Sequence, residues 1–107
     1  MAWRVVTLDE VVDDELQALP AGMRAKFVHI AEMLEKFGPF QVREPYVKSL
    51  GGRLYEIRMK STEGIARAIY TPAGGQRLVV LHAFVKKTQK LPNAAIRIAL
   101  KRAREVQ

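Results

Sequence analysis

The second half of this 107-residue chain carries three strand-patterned runs in succession, and no other feature constrains its fold as tightly. Leu54-Tyr55-Glu56-Ile57-Arg58-Met59 alternates in polarity. Ile65 to Tyr70 sets small and branched residues around Arg67. Arg77 to Val85 is rich in valine and leucine. Side chains two residues apart share a face of a strand, so each run can bury one side. Thr62-Glu63-Gly64 and Pro72-Ala73-Gly74-Gly75 supply turns between the runs. Links this short join antiparallel neighbours, so the runs predict a three-stranded meander.

The first half reads differently. Trp3 to Thr7 is short and β-branched and predicts a first strand. Thr7-Leu8-Asp9-Glu10 has the form of a capping box, and the acidic run from Asp9 to Glu15 suits the positive end of a helix dipole. Val11, Val12, Leu16 and Leu19 give that helix its apolar stripe, and Pro20-Ala21-Gly22 ends it. A second helix is predicted from about Met23 to Phe37 on the spacing of Phe27, Ile30, Ala31 and Leu34, with Gly38-Pro39 as its stop. Pro92 to Arg104 predicts a last helix. Its apolar face is Ile96, Ala99, Leu100 and Ala103, opposite Arg97, Lys101 and Arg104. The order is β-α-α-β-β-β-α. This is an α+β domain spanning residues 1–107, with a small antiparallel-rich sheet packed on one face by two N-terminal helices and a C-terminal helix.

The chain has no cysteine, which excludes a disulfide scaffold, a thiol nucleophile and a cysteine-ligated metal. His29 and His82 lie far apart in sequence and predict no metal site. Leu78 to Leu81 is the longest aliphatic run, far short of the roughly 20 apolar residues of a spanning helix. Met1-Ala2-Trp3-Arg4 lacks the layout of a signal peptide. These features predict a soluble cytoplasmic protein with no membrane partner. Charge then narrows the partner. Residues 1–53 hold 7 basic and 8 acidic side chains, whereas residues 54–107 hold 11 basic and 3 acidic. An excess confined to one half favours a polyanion, and nucleic acid above others.

Strand alternation places Leu54, Glu56, Arg58 and Lys60 on one face and Tyr55, Ile57 and Met59 on the other. By the same count Val80, His82 and Phe84 share a face, and Val79, Leu81 and Ala83 share the opposite one. With Arg58, Arg67 and His82 on one face and Lys86 and Lys87 at its rim, the sheet would suit a single RNA strand. Arginine forks hold phosphate in bidentate fashion, and Phe84 and Tyr70 can stack bases. Two blander readings stand beside this. Arg58 and Arg67 also fit solvent-face charges paired with Glu56, and His82 also fits a hydrogen-bonded core histidine. No Gly-rich phosphate loop and no serine-histidine-acid arrangement is present.

Three blocks in order carry a family resemblance. They are Lys48 to Arg58, Gly64 to Tyr70, and Val80 to Pro92, the last containing His82-Ala83-Phe84-Val85-Lys86-Lys87-Thr88-Gln89-Lys90. Together they resemble the phage-derived branch of the RelE/HigB toxins, the toxin halves of type II toxin–antitoxin pairs. The resemblance implies a metal-independent mRNA endoribonuclease without a cofactor, acting on ribosome-bound mRNA. It also implies inhibition by a helix-turn-helix, HigA-like antitoxin. The implied reaction is attack of a ribose 2′-hydroxyl on the adjacent phosphorus. By position, Arg58 and Arg67 would stabilise the phosphorane, Lys86 and Lys87 would hold the scissile phosphate, and His82 would transfer a proton. Glu56 is an alternative base or an orienter of Arg58. Lys48, Glu56, Tyr70, Phe84, Lys86 and Lys90 are the expected RNA contacts, beside Arg58, Arg67, His82 and Lys87 as catalytic residues. Many relatives carry a tyrosine or histidine near the C-terminus, and this chain has neither after His82. A non-catalytic nucleic-acid-binding or antitoxin-pairing module is therefore the alternative reading.

Overall fold

The computed structural model describes residues 2–86 and 92–106. In chain order the elements are β1 (Arg4–Thr7), α1 (Glu10–Gln17), α2 (Ala21–Phe37), β2 (Val47–Gly51), β3 (Leu54–Ser61), β4 (Gly64–Ala73), β5 (Arg77–Lys86) and α3 (Asn93–Ala103). The strands form one sheet in the order β1-β5-β4-β3-β2. β1 lies parallel to β5, and the other three pairings are antiparallel. The predicted meander is therefore the centre of the sheet. The α+β class holds with one strand more than expected. Val47-Lys48-Ser49-Leu50-Gly51 has little intrinsic β-preference, and it becomes β2 because β3 offers it an edge, with Lys48 opposite Glu56. Gly51 and Gly52, both at positive φ, turn the chain between them.

α1 starts later than the capping-box reading placed it. Thr7 is held in β1 opposite Val80, so its backbone stays extended. Asp9 is the cap instead, accepting from the Val12 amide at 3.2 Å, while the Thr7 hydroxyl donates to Asp13 at 2.6 Å. At the end of α2, Gly38 adopts φ +84°, and a Cβ there would press on the Trp3 ring at 3.4 Å. Among the described residues no helix is long and apolar enough to cross a membrane.

The helices lie on both sides of the sheet. Val12, Met23, Ile30 and Leu34 of the N-terminal helix pair bury Ile57, Met59, Ala66, Ala68, Tyr70, Leu78 and Val80. α3 packs on the reverse side, where Ala95 and Ala99 meet Leu54, Ile69, Val79 and Leu81. This corrects the expectation of helices on one face. The meander strands bear apolar residues on both faces over part of their length, so each side needs a cover. Small alanines let α3 approach, while Leu100, placed on the apolar face from sequence, remains half exposed.

A β-bulge in β5 decides which residues join which face. Ile69 pairs with His82 but Tyr70 pairs with Val80, so Leu81 is the extra residue. Leu78, Val80 and Ala83 consequently face α1 and α2, whereas Val79, Leu81 and Phe84 join the α3 side. Simple alternation put Val80 with His82 and Phe84, and Ala83 with Val79 and Leu81. The bulge separates both groups.

Candidate nucleic-acid interface

α3 covers only half of its face, and polar residues occupy the rest. Strand register sets them in three cross-strand rows. Lys48, Glu56, Ile69 and His82 make the first, Arg58, Arg67 and Phe84 the second, and Lys60, Ile65 and Lys86 the third. At strand spacings the patch spans roughly 14 Å each way. Two acids would be needed to balance even Arg58 and Arg67, yet Glu56 is the single acid in these rows.

Glu56 is fully buried at the centre. Its Oε1 accepts from Arg58 Nε at 3.0 Å, and its Oε2 accepts from Arg67 Nη1 in a short ion pair. A carboxylate has no donor to offer when ionised, so both arginines are oriented by the same group. Arg67 is itself 6% exposed. Its Nε is buried without a hydrogen-bond partner among the described residues. An orphaned charged donor costs about 1–3 kcal/mol or more. Arg58 is more open, with its Nη1 3.7 Å from the exposed Glu44. The alternatives left by the sequence are thus resolved in part. The arginines do pair with Glu56, but inside the sheet face rather than in solvent, and Glu56 is sealed between them.

Lys86 lies beside this pair. Burial holds its ammonium below the ordinary lysine value, and the nearby Arg67 pushes the same way. Arg58 and Arg67 also line a cavity of about 350 Å³ with Lys60, Lys26, Ile65 and Tyr46. It sits beside the start of β2, where the Tyr46 carbonyl accepts from the Arg58 amide at 2.9 Å.

His82 is neither a free imidazole nor a fully enclosed one. Its side chain is 12% exposed, and Nδ1 lies 2.9 Å from Glu15 Oε1. The ring stacks on Phe84 with centroids 4.9 Å apart. Arg102 Nη1 reaches the same carboxylate at 3.0 Å and donates to the Leu81 carbonyl at 2.8 Å. Glu15 and Arg102 escaped the sequence reading, though a signal was present. Glu15 falls three residues after the buried Val12 and four before Leu19, and Arg102 falls three after the buried Ala99. A charge inside an apolar stripe needs a buried partner.

The rows thus bring together Lys48, Glu56, Arg58, Arg67, His82, Phe84 and Lys86 of the expected set. Tyr70 does not join them. It is fully buried on the opposite face, stacked on Tyr55 at 5.4 Å, and out of reach of a base on the polar face. The branched and small residues around it made its face ambiguous, and its register opposite Tyr55 settles it. Lys87 and Lys90 lie outside the described residues.

Two solved structures share this architecture. A free-state structure of the E. coli toxin RelE, a double arginine-to-alanine mutant, superposes with a TM-score of 0.69 at 16% identity, covering 95% of this chain and 98% of that one. The archaeal RelE of a RelE–RelB complex from Pyrococcus horikoshii OT3 gives 0.59 at 26% identity, over 81% of this chain and 98% of that one. No curated protein sequence matches the chain. The family model described as "Phage derived protein Gp49-like (DUF891)" matches residues 14–104. On that match the chain belongs to the phage-derived Gp49-like family, and it carries the fold of the RelE toxins.

Proposed function

We propose that this protein is the toxin half of a toxin–antitoxin pair and acts as an endoribonuclease on mRNA held by the ribosome. The observation that carries the reading is Arg67. It is an arginine 6% exposed whose Nε has no partner among the described residues, set between Arg58 and Lys86 on the uncovered half of the sheet. Such a donor has a use when an anion with several oxygens arrives, and a phosphodiester is that anion.

The chemistry asked of the patch is transesterification. The 2′-oxygen forms a bond to phosphorus, the phosphorus–5′-oxygen bond breaks, and the products are a 2′,3′-cyclic phosphate and a 5′-hydroxyl. One proton leaves the 2′-hydroxyl and one reaches the 5′-oxygen, so no water is consumed. Arg58, Arg67 and Lys86 would stabilise the charge that builds on the phosphorane oxygens, and fixed charges of this kind usually supply most of an enzyme's rate enhancement. His82 would exchange the proton, and Phe84 beside it offers a surface for a base. Glu56 has both oxygens engaged by guanidinium groups, which makes it an orienter rather than the base. This division of roles asks for no metal ion. The complex formed by the archaeal relative supports an antitoxin as partner, here expected to be a small helix-turn-helix protein.

A second reading, an RNA-binding module without cleavage, has one observation behind it. With Glu56 sealed, His82 is the single imidazole of the patch among the described residues, and acid and base would have to share it. Induced expression in a bacterial host separates the two, comparing wild type with Arg58→Ala and Arg67→Lys and mapping RNA 5′ ends. Growth arrest with new 5′-hydroxyl ends, lost in both variants while thermal unfolding is retained, is the expected result. Soluble, folded wild type that causes no arrest and yields no new ends overturns the nuclease reading.

A further inference from the structure

We propose that Glu15 and Arg102 are positioning residues for His82, fixing the proton on Nδ1 so that Nε2 is the nitrogen that meets RNA. The inference rests on the proposed proton-transfer role of His82 but makes its own claim about the ring.

The geometry grows out of the sheet. β1 ends at Thr7 opposite Val80, so beyond Val80 the outer edge of β5 has no strand partner among the described residues. The bulge at Leu81 falls just there. Backbone groups freed in this way need other partners. The Ala83 amide donates to Glu15 Oε1 at 3.1 Å, and the Leu81 carbonyl accepts from Arg102 Nη1 at 2.8 Å. Glu15 reaches in from α1 and Arg102 from α3, and they bond each other at 3.0 Å. The carboxylate is therefore held by an amide and a guanidinium before the imidazole is considered.

His82 Nδ1 then lies 2.9 Å from Glu15 Oε1 and 3.4 Å from Arg102 Nη1. The two neighbours ask for opposite tautomers. A carboxylate accepts only, which requires hydrogen on Nδ1, while a guanidinium donates only, which requires a bare Nδ1. The shorter contact is with Glu15, and Arg102 Nη1 already donates to Glu15 and the Leu81 carbonyl. Nδ1–H is the tautomer that satisfies the cluster. Nε2 makes no hydrogen bond among the described residues, and the Phe84 stack fixes the plane in which it points. A carboxylate that sets the tautomer of a catalytic histidine can be worth orders of magnitude in rate even when geometry is otherwise retained.

The test reads the ring nitrogens directly by 15N NMR of the full chain and, separately, single-turnover cleavage and affinity for an uncleavable 2′-deoxy RNA. In the neutral ring, wild type is expected to show hydrogen on Nδ1 and a bare Nε2. Glu15→Gln has one oxygen for three donors, and its amide group favours a bare Nδ1, so the tautomer should shift toward Nε2–H. Cleavage should fall about 10²-fold with affinity for the deoxy RNA unchanged. Arg102→Lys, which keeps the charge but cannot span Glu15 and the Leu81 carbonyl together, should give a smaller loss of the same kind. A bare Nδ1 with hydrogen on Nε2 in the neutral wild-type ring overturns the inference, whether or not the variants fold. So does a Glu15→Gln protein whose tautomer shifts while its cleavage rate stays the same. A wild type with Nδ1–H that cleaves no RNA instead defeats the nuclease reading and leaves the ring assignment standing.

Discussion

On the face under α1 and α2, β3 and β4 contribute Tyr55, Ile57, Met59, Ala66, Ala68 and Tyr70; on the reverse face, the same strands set Glu56, Arg58 and Arg67 beside the apolar Leu54 and Ile69. The apolar face stabilises simply, at about 1.5–3 kcal/mol for each large side chain buried. The polar face does not. A buried ion pair compared with well-packed apolar residues is often neutral or unfavourable by about 1–4 kcal/mol, because desolvation offsets attraction. A strand that can bury isoleucine on one side has no stability reason to bury Glu56 and Arg67 on the other. What the second face gains is a guanidinium held in place with a donor still unused.

The largest expected effect separates these roles. Arg67→Ala leaves Glu56 buried without its main partner and should cost about 3–5 kcal/mol of stability as well as all cleavage. Replacing both partners, Glu56→Leu with Arg67→Met, should bring urea unfolding back to about the wild-type midpoint while cleavage stays absent. A double variant as unstable as Arg67→Ala would make the pair a structural element and remove the contrast between the faces. On the other side, Ile57→Ala should cost about 2–5 kcal/mol through the cavity it leaves, yet the protein that remains folded should bind RNA as the wild type does.

Part of this contrast was legible in the sequence. Leu54 to Met59 alternates cleanly, so the opposed faces of β3 follow from period alone, as does the meander from its glycine turns. β5 is apolar almost throughout, and alternation cannot show where an extra residue enters, so period alone groups His82 with Val80. The bulge is a property of the pairing with β4 and of the point where β1 ends. The placement of Tyr70 needed the same register. Glu56 could be read as base or orienter because nothing local says that two arginines from different strands close over it. Glu15 and Arg102, 87 residues apart, were each explicable as helix surface, and only the tertiary fold brings them to one histidine.

Smaller effects sharpen the electrostatic side. Lys48 is exposed at the rim, opposite Glu56. Lys48→Ala should leave stability within about 0.5 kcal/mol and lower the salt dependence of RNA binding by about 0.7 in log–log slope, the value of one single-strand contact. Lys86 gives the pH dependence. Its folded pKa lies below the ordinary value, so the unfolded chain keeps that proton to higher pH, and the stability of the protein without RNA should rise with pH across that window. The proposed phosphate contact needs the charged ammonium, so affinity for RNA should fall across the same window. Lys86→Arg should abolish both limbs, and an unchanged alkaline loss of affinity in Lys86→Arg would assign it elsewhere.

The smallest expected effect falls on the apolar face, where a polar atom is out of place. The Tyr70 hydroxyl is buried and has no hydrogen-bond partner among the described residues. Burial, with Tyr55 adding to it, holds the phenol well above its ordinary value. At neutral pH neither folded nor unfolded chain ionises there, so Tyr70→Phe acts only by removing an unsatisfied group, and should be neutral or stabilising by up to about 1 kcal/mol. Above pH of about 10 the unfolded chain loses this proton before the folded one does, which lowers the wild type's stability as pH rises, and Tyr70→Phe should lack that share of the fall. Urea unfolding at both pH values measures the two effects. RNA affinity should be the same in both proteins, since Tyr70 stacks on Tyr55 beneath the sheet and not on a base above it. A Tyr70→Phe protein that loses more than about 1 kcal/mol at neutral pH would mean that the hydroxyl is satisfied after all, as a buried group normally is. One that loses RNA affinity would put the two faces in communication.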